Sequence, residues 1–257
     1  MWAQGDYAAV AVFLEPCAVK LADLCGIRPG MAVLDVAAGN GNFALAAAKR
    51  GARVTACDMT PRMLELGRAR STASGQDIEW LDGDAEQLSF GDATFDLVAS
   101  VFGAMFASQP ERVASELFRV CRPGGLVAMA NYSHEGFLGS MADLFARHST
   151  PLPIALPSPF EWGDPEVALH RLGGFAPTVD IQPDVLSMTF DSIDAGLEFW
   201  ERTNAPTIAL RVTLPPERYE DFRRDARGLM DKMNVSRDGR LALSSNYVRV
   251  VARKPAI

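Results

Sequence analysis

Histidine is scarce in this chain of 257 residues: His134, His148 and His170 are all it has, without the paired spacing of a zinc site. The four cysteines, Cys17, Cys25, Cys57 and Cys121, show neither CxxC nor CxxxC spacing, so reduced structural thiols are expected rather than a metal knuckle or a disulfide framework. No clustered-carboxylate loop of the EF type occurs, and no metal is expected. No stretch approaches 18 uninterrupted apolar residues, which argues against a membrane-spanning helix. The start, MWAQGDYAAV, lacks the basic region of a secretion leader, and a cytoplasmic protein is expected. Positive charge is in the minority, 25 Lys and Arg against 32 Asp and Glu, and the net charge of -7 opposes unspecific binding to nucleic acid or anionic membrane. A composition of 48% hydrophobic and 22% charged residues excludes a disordered chain, a collagen-like repeat and a coiled coil.

What is present is an alternation. From residue 31, short β-branched runs alternate with helix-period segments, the pattern of βαβ units on a parallel sheet. Strands are expected at 31–38, 52–58, 78–84, 95–103 and 126–132, and helices at 42–50, after Pro61, and at 109–121. The run FDLVASVFG is apolar after Asp96, as suits a strand buried on both faces. The later part differs: five prolines fall within 151–165, residues 178–190 and 246–254 read as antiparallel strands, and 215–233 reads as a solvated amphipathic helix. The fold class is α/β: a doubly wound Rossmann-like sheet, mostly parallel with an antiparallel terminal hairpin, plus a cap insertion. The expected divisions are an N-terminal helical segment (1–30), a cofactor-binding core (31–132), a substrate cap interleaved with late strands (133–240) and a terminal strand of the core sheet (241–257).

The sharpest signal is VLDVAAGNGN (33–42) followed by Asp58. A strand that turns on small residues straight into a helix exposes bare backbone to a ligand, and an acid ending the next strand suits two ribose hydroxyls. Two cofactor classes fit. Gly39–Ala44 satisfies GxGxxA, the dinucleotide fingerprint, with Asp58 17 residues after Gly41, so a nicotinamide-dependent oxidoreductase is one reading. Against it, Asp35 stands just before the turn, where a pyrophosphate would meet like charge and a cationic amino-acid end would be welcome. Blander roles exist for the same residues: Asp58 suits a helix N-cap before Thr60-Pro61, and Asp84 suits a turn.

LDVAAGNG with Asp58, Gly83-Asp84, FDLVASVFG and LFRVCRPGG, in that order, resembles the class I S-adenosylmethionine-dependent methyltransferases, in particular the small-molecule group that includes the ubiquinone and menaquinone C-methyltransferases. The resemblance covers about residues 5–132 and departs at one point: Ala37 stands where the family carries the first glycine of GxGxG. It implies S-adenosyl-L-methionine as cofactor, with S-adenosyl-L-homocysteine as product. It further implies that Asp35 and the backbone of Ala37 and Gly39 hold the methionine end, Asp58 the ribose diol, Met59 one adenine face, Asp84 and Ala85 the adenine edge, and Ser100 and Val101 the methionyl moiety. Tyr7 matches an N-terminal aromatic that folds over the cofactor in similar proteins.

Phe102, Met105 and Phe106, which follow the fourth strand, and Trp162 in the cap are the expected substrate pocket, although aromatic and Met clusters serve a core equally well. His134, with Tyr132, follows the fifth strand and is the candidate base; turn chemistry around Ser133 accounts for the same residues. The expected activity is methyl transfer to O, N or C of a largely apolar small molecule, with no nucleic-acid or membrane partner and a homodimer left open. A non-catalytic cofactor-binding or scaffolding protein is the alternative from another class. A nucleic-acid methylase is disfavoured by the acidic charge and by the lack of a Pro-Pro-aromatic tetrapeptide at the fourth strand.

Overall fold

The apolar strands close into one sheet in the computed structural model, which describes residues 5–149 and 156–256. The strands are β1 (Ala32–Val36), β2 (Arg53–Asp58), β3 (Ile78–Asp82), β4 (Phe95–Val101), β5 (Cys121–Gly136), β6 (Thr178–Phe190) and β7 (Leu241–Arg253), in the spatial order β3-β2-β1-β4-β5-β7-β6. The first five pair in parallel, and β7 runs antiparallel to both of its neighbours. β4 is almost wholly buried, as its unbroken apolar run requires of a central strand covered on both faces.

Helices α1 (Tyr7–Leu24), α2 (Asn42–Ala48), α3 (Pro61–Ala73) and α4 (Pro110–Val120) cover the sheet. The carboxylate of Asp6 accepts a bond from the Ala9 amide at 3.3 Å and caps α1. From there Ala11, Leu14, Ala18, Leu21 and Ala22 recur at helical spacing and bury one stripe against the core. In α2 the small Ala-rich face lets the helix lie close behind β1, with Phe43, Ala44 and Ala47 buried.

After β5 come α5 (Phe137–His148), α6 (Pro165–Gly173), α7 (Ile193–Thr203), α8 (Ala205–Thr213) and α9 (Pro216–Met233). β6 and β7 pair over thirteen positions, although α7, α8 and α9 intervene in the chain, and one end of this long ribbon supports a second core. There Met188, Phe190, Leu241 and Leu243 meet Phe137, Met141, Leu144, Trp200, Phe222 and Met230. Each such apolar side chain contributes about 2 kcal/mol on burial, so this second core is a substantial anchor for the helices after β5. Of the proline-rich stretch, Pro151 and Pro153 lie outside the described residues; Pro157 and the short 3-10 turn Pro159–Gly163 lie within them.

Candidate functional site

β1 and β4 are sheet neighbours, but the chain reaches β4 only after β2 and β3. The loops leaving their carboxyl ends therefore diverge and open a crevice, the usual ligand position in such sheets. After β1, Ala37 and Gly39 both take left-handed backbone, with φ of +53° and +56°. A non-glycine residue in that region costs about 1 kcal/mol, so Ala37 carries strain that the family's usual glycine avoids. The two loops approach so closely that a Cβ on Gly103 would lie 2.3 Å from the Ala37 carbonyl oxygen, and one on Gly39 would lie 3.0 Å from the Tyr7 hydroxyl. Phe102, at φ +56°, is also strained and presses its ring flat against Tyr132, with centroids 4.0 Å apart and planes 4° from parallel.

Three of the sequence-selected acids surround this crevice. Asp35 is 1% exposed; its Oδ2 accepts from the Ala44 amide at 2.9 Å, while Oδ1 has no partner. Burial pushes its carboxyl up to about 8, with the Ala44 bond opposing and Asp58 adding. Asp58 accepts from the Gly39 amide at 2.8 Å through Oδ2 and from the Thr60 amide at 2.9 Å through Oδ1, so the turn is fastened to the end of β2. Each oxygen keeps a second lone pair for a ligand hydroxyl. Asp84 accepts from the Glu86 amide at 2.8 Å and lines the same cavity as Met59 and Ala85. Burial pushes Glu86 up, but donors from Ser108 and Gln109 outweigh it and hold the carboxyl below its ordinary value.

These groups line or adjoin a cavity of about 940 Å³. Tyr7, Ala37, Gly39, Asp58, Met59, Asp84 and Ala85 form one end of it; Phe13, Leu138, Met141, Phe145, Met188 and Trp200 are among the apolar residues of the other. Asp35 and Val101 lie beside it in a narrow pocket shared with Tyr7, Asn40 and Asn42. Ser100 is buried, its hydroxyl accepting from the Ala104 amide at 3.0 Å, and it reaches neither space.

Phe102, Phe106 and Tyr132 are on the cavity wall, but three expected residues are not. Met105, 1% exposed, is consumed in packing beneath the β4 loop. Trp162, also 1% exposed, lies under the Arg171 guanidinium at 4.8 Å in a cation–π contact, and its neighbours Pro159 and Phe160 take the wall position instead. His134 is turned outward: its side chain is 57% exposed, and Nε2 lies 3.0 Å from Asp143 Oδ1. The bulge between Tyr132 and Gly136 re-aims the strand end, leaving Tyr132 inside and His134 outside. Leu138, Met141 and Phe145 of α5, in the 133–149 segment expected with Phe160 as an apolar roof, are on the wall; sequence reasoning missed Phe13 of α1 and Thr203–Pro206 at the junction of α7 and α8, which helical apolar spacing marks as buried but not as cavity-lining.

The arrangement fits a ligand with a cationic amino-acid end, a diol and an apolar neighbour. The orphaned oxygen of Asp35 belongs to a buried carboxyl that a cation beside it would ionise, and the left-handed turn carries at Ala37 and Gly39 nothing larger than a methyl group.

The sequence profile described as a methyltransferase domain matches residues 34–129. An uncharacterized protein of Mycobacterium tuberculosis (strain ATCC 25618 / H37Rv) is 37% identical over 210 residues, covering 81% of this chain and 77% of that protein. The demethylmenaquinone methyltransferase of Renibacterium salmoninarum is 39% identical over 115 residues, covering 45% of this chain and 47% of that one. The chain spans about 60% of the length of other mycobacterial relatives, which it matches at 44% identity over 164 residues. Among solved structures, an N-methyltransferase of Haemonchus contortus, determined with phosphomonomethylethanolamine and S-adenosylhomocysteine, superposes with a TM-score of 0.58 at 18% identity over 93% of this chain and 52% of that one.

Proposed function

Since this chain belongs to the S-adenosylmethionine-dependent methyltransferases, we propose that it transfers a methyl group to an oxygen, nitrogen or carbon atom of a largely apolar small molecule. The observation that carries this reading is a cavity of about 940 Å³ whose polar end holds Asp58 and Asp84, with Asp35 in the narrow pocket beside it, and whose other end is apolar. That volume is at the upper end of small-molecule sites, enough for a donor and a modest acceptor side by side.

The bound donor supplies a methyl group on a positively charged sulfur, already activated toward nucleophiles. What remains for the protein is alignment and exclusion of water. In this reading Asp35 pairs with the ammonium group of the amino-acid end, the backbone of Ala37 supports that end, and Asp58 takes the ribose hydroxyls. Because the Gly39 amide is already given to Asp58, Gly39 serves by leaving room and through its carbonyl. Met59 and Ala85 flank the adenine, and Asp84 reads its edge. Tyr7 covers the turn from α1, in contact distance of Gly39, and closes the donor end. Ser100, sealed from both spaces, contributes only through the loop that it braces. The stacked rings of Phe102 and Tyr132 form the wall between the two ends and exclude water from the line of transfer.

Incubation with methyl-labelled S-adenosylmethionine and an extract of source cells tests the proposal. Label in an organic-soluble small product is the expected result. Label confined to protein or nucleic acid would refute it.

A further inference from the structure

The acceptor end of the cavity has an unusual inventory. Its described wall carries no Asp, Glu, His, Lys, Arg or Cys: the acids on the wall, Asp58, Asp84 and Glu86, all belong to the donor end. His134 is not on the wall: its half-exposed ring bonds Asp143 and packs edge-on against the outside of Phe160, with centroids 5.8 Å apart. The polar groups on the acceptor wall are the Tyr132 phenol, the Ser158 and Thr203 hydroxyls, the Asn204 amide and the Trp200 indole N–H; Thr203 donates to the Phe199 carbonyl and the Trp200 N–H is sealed from the surface, whereas the Tyr132 hydroxyl, set by its ring stack on Phe102, has no hydrogen bond to protein among the described residues. Burial pushes that phenol well above its ordinary range, with Tyr7 and Cys17 adding, so it stays protonated and acts as a donor rather than a base.

Resting on the methyltransferase reading above, we propose that the acceptor is an acidic enol or hydroxyarene that enters already ionised, is held by a hydrogen bond from the Tyr132 hydroxyl to its oxyanion, and is methylated on that oxygen. The balance closes without a base. An oxygen lone pair forms the O–CH₃ bond, the S–CH₃ pair returns to sulfur, and an anion and a sulfonium cation become two neutral products. No proton moves. Methylation of a neutral hydroxyl or an ammonium group would release a proton for which the described wall has no carboxylate or imidazole, and methylation at a ring carbon of the anion would need the ring proton carried to the oxyanion, a relay the described wall does not offer. Charge complementarity acts in the same direction. A delocalised anion entering an apolar end is costly alone, but the adjacent sulfonium offsets that cost, while a cationic acceptor would be repelled. Tyr132 is thus a positioning residue, its ring fixed by the stack on Phe102 and its hydroxyl left for the substrate.

Two probes with the same ring system separate the outcomes: 2,4-dinitro-1-naphthol, which is ionised at neutral pH, and 1-naphthol, which is not. Calorimetric binding is measured on the whole protein saturated with S-adenosylmethionine and, separately, with uncharged S-adenosylhomocysteine. The anionic probe is expected to bind about tenfold tighter beside the sulfonium, and 1-naphthol equally in both complexes. Tyr132→Phe keeps the stacked ring; it should lower affinity for the anion by about tenfold, the worth of one hydrogen bond to a charged group, and leave 1-naphthol and S-adenosylhomocysteine unaffected. The proposal is overturned if 1-naphthol binds as tightly as the anion, or if the anion ignores both the donor's charge and the loss of the hydroxyl. The donor-charge comparison needs no variant, so it stands even if Tyr132→Phe misfolds. Failure of either donor-type ligand to bind at all would instead strike the methyltransferase reading beneath it.

Discussion

Asp35→Asn should make the protein more stable and less able to bind its donor. Without ligand, Asp35 is a carboxylate 1% exposed with one oxygen unpartnered, and burial pushes it up to about 8 from an ordinary 3.8. The folded state therefore binds a proton more readily than the unfolded state. Stability falls as pH rises from about 4, and the loss is complete above about 8. At about 1.36 kcal/mol per pH unit, the full cost is on the order of 5 kcal/mol, and water entering the site reduces it to roughly 2–5 kcal/mol.

Asparagine does not titrate. Its amide oxygen can keep the Ala44 bond, leaving an unpaired neutral NH₂ where the ionised oxygen stood. Thermal melts of both proteins without ligand across pH 4.5 to 8.5 isolate the group from every other carboxylate. The advantage of Asp35→Asn should grow with pH, reaching about 5–10 °C at the alkaline end. The same variant loses a buried partner for the donor's ammonium, so calorimetry should show S-adenosylhomocysteine binding weakened roughly 10²–10³-fold. A difference in melting temperature that stays flat with pH, or unchanged ligand affinity, would refute the reasoning.

Three further substitutions test neighbouring parts of the site. Gly103→Ala places a Cβ 2.3 Å from the Ala37 carbonyl oxygen, so the two crevice loops must separate; a loss of about 3 kcal/mol in denaturant melts and a comparable fall in donor affinity are expected. Ala37→Gly relieves the left-handed alanine and should leave stability equal or up to about 1 kcal/mol higher with donor binding intact, whereas a clear loss in melting temperature would show that the Cβ is needed. His134→Ala removes an exposed side chain whose bond is to Asp143, and label transfer should stay within about twofold of wild type; a hundredfold loss would return His134 to the chemistry.

The donor half of the fold was largely legible because each of its signals has one physical meaning. Alternating β-branched runs give parallel strands, Pro61 starts α3, and the acids at 35, 58 and 84 fall at strand ends where the sheet order makes a crevice. Ala37 departed from the family pattern in sequence, and in the structure it takes a positive φ all the same, as Gly39 does two residues on. The acceptor half was not legible in the same way. The 133–149 segment was expected over the acceptor from its place after the fifth strand, but helical spacing alone does not say that Leu138, Met141 and Phe145 are the residues that line a wall rather than fill an interior. Met105 and Trp162 failed for this reason: both are apolar and near the site, and both are spent on packing. His134 is turned outward because a β-bulge, invisible in composition, decides which residue near the end of β5 points inward.

Titration with S-adenosylhomocysteine, set against NADH as the rival ligand of a GxGxxA turn, tests the donor site most directly. Saturable one-to-one binding of S-adenosylhomocysteine, with the melting temperature raised by about 5–10 °C at a hundredfold excess over Kd and no response to NADH, is the expected result. A folded protein that ignores S-adenosylhomocysteine, or that binds NADH in its place, would contradict it.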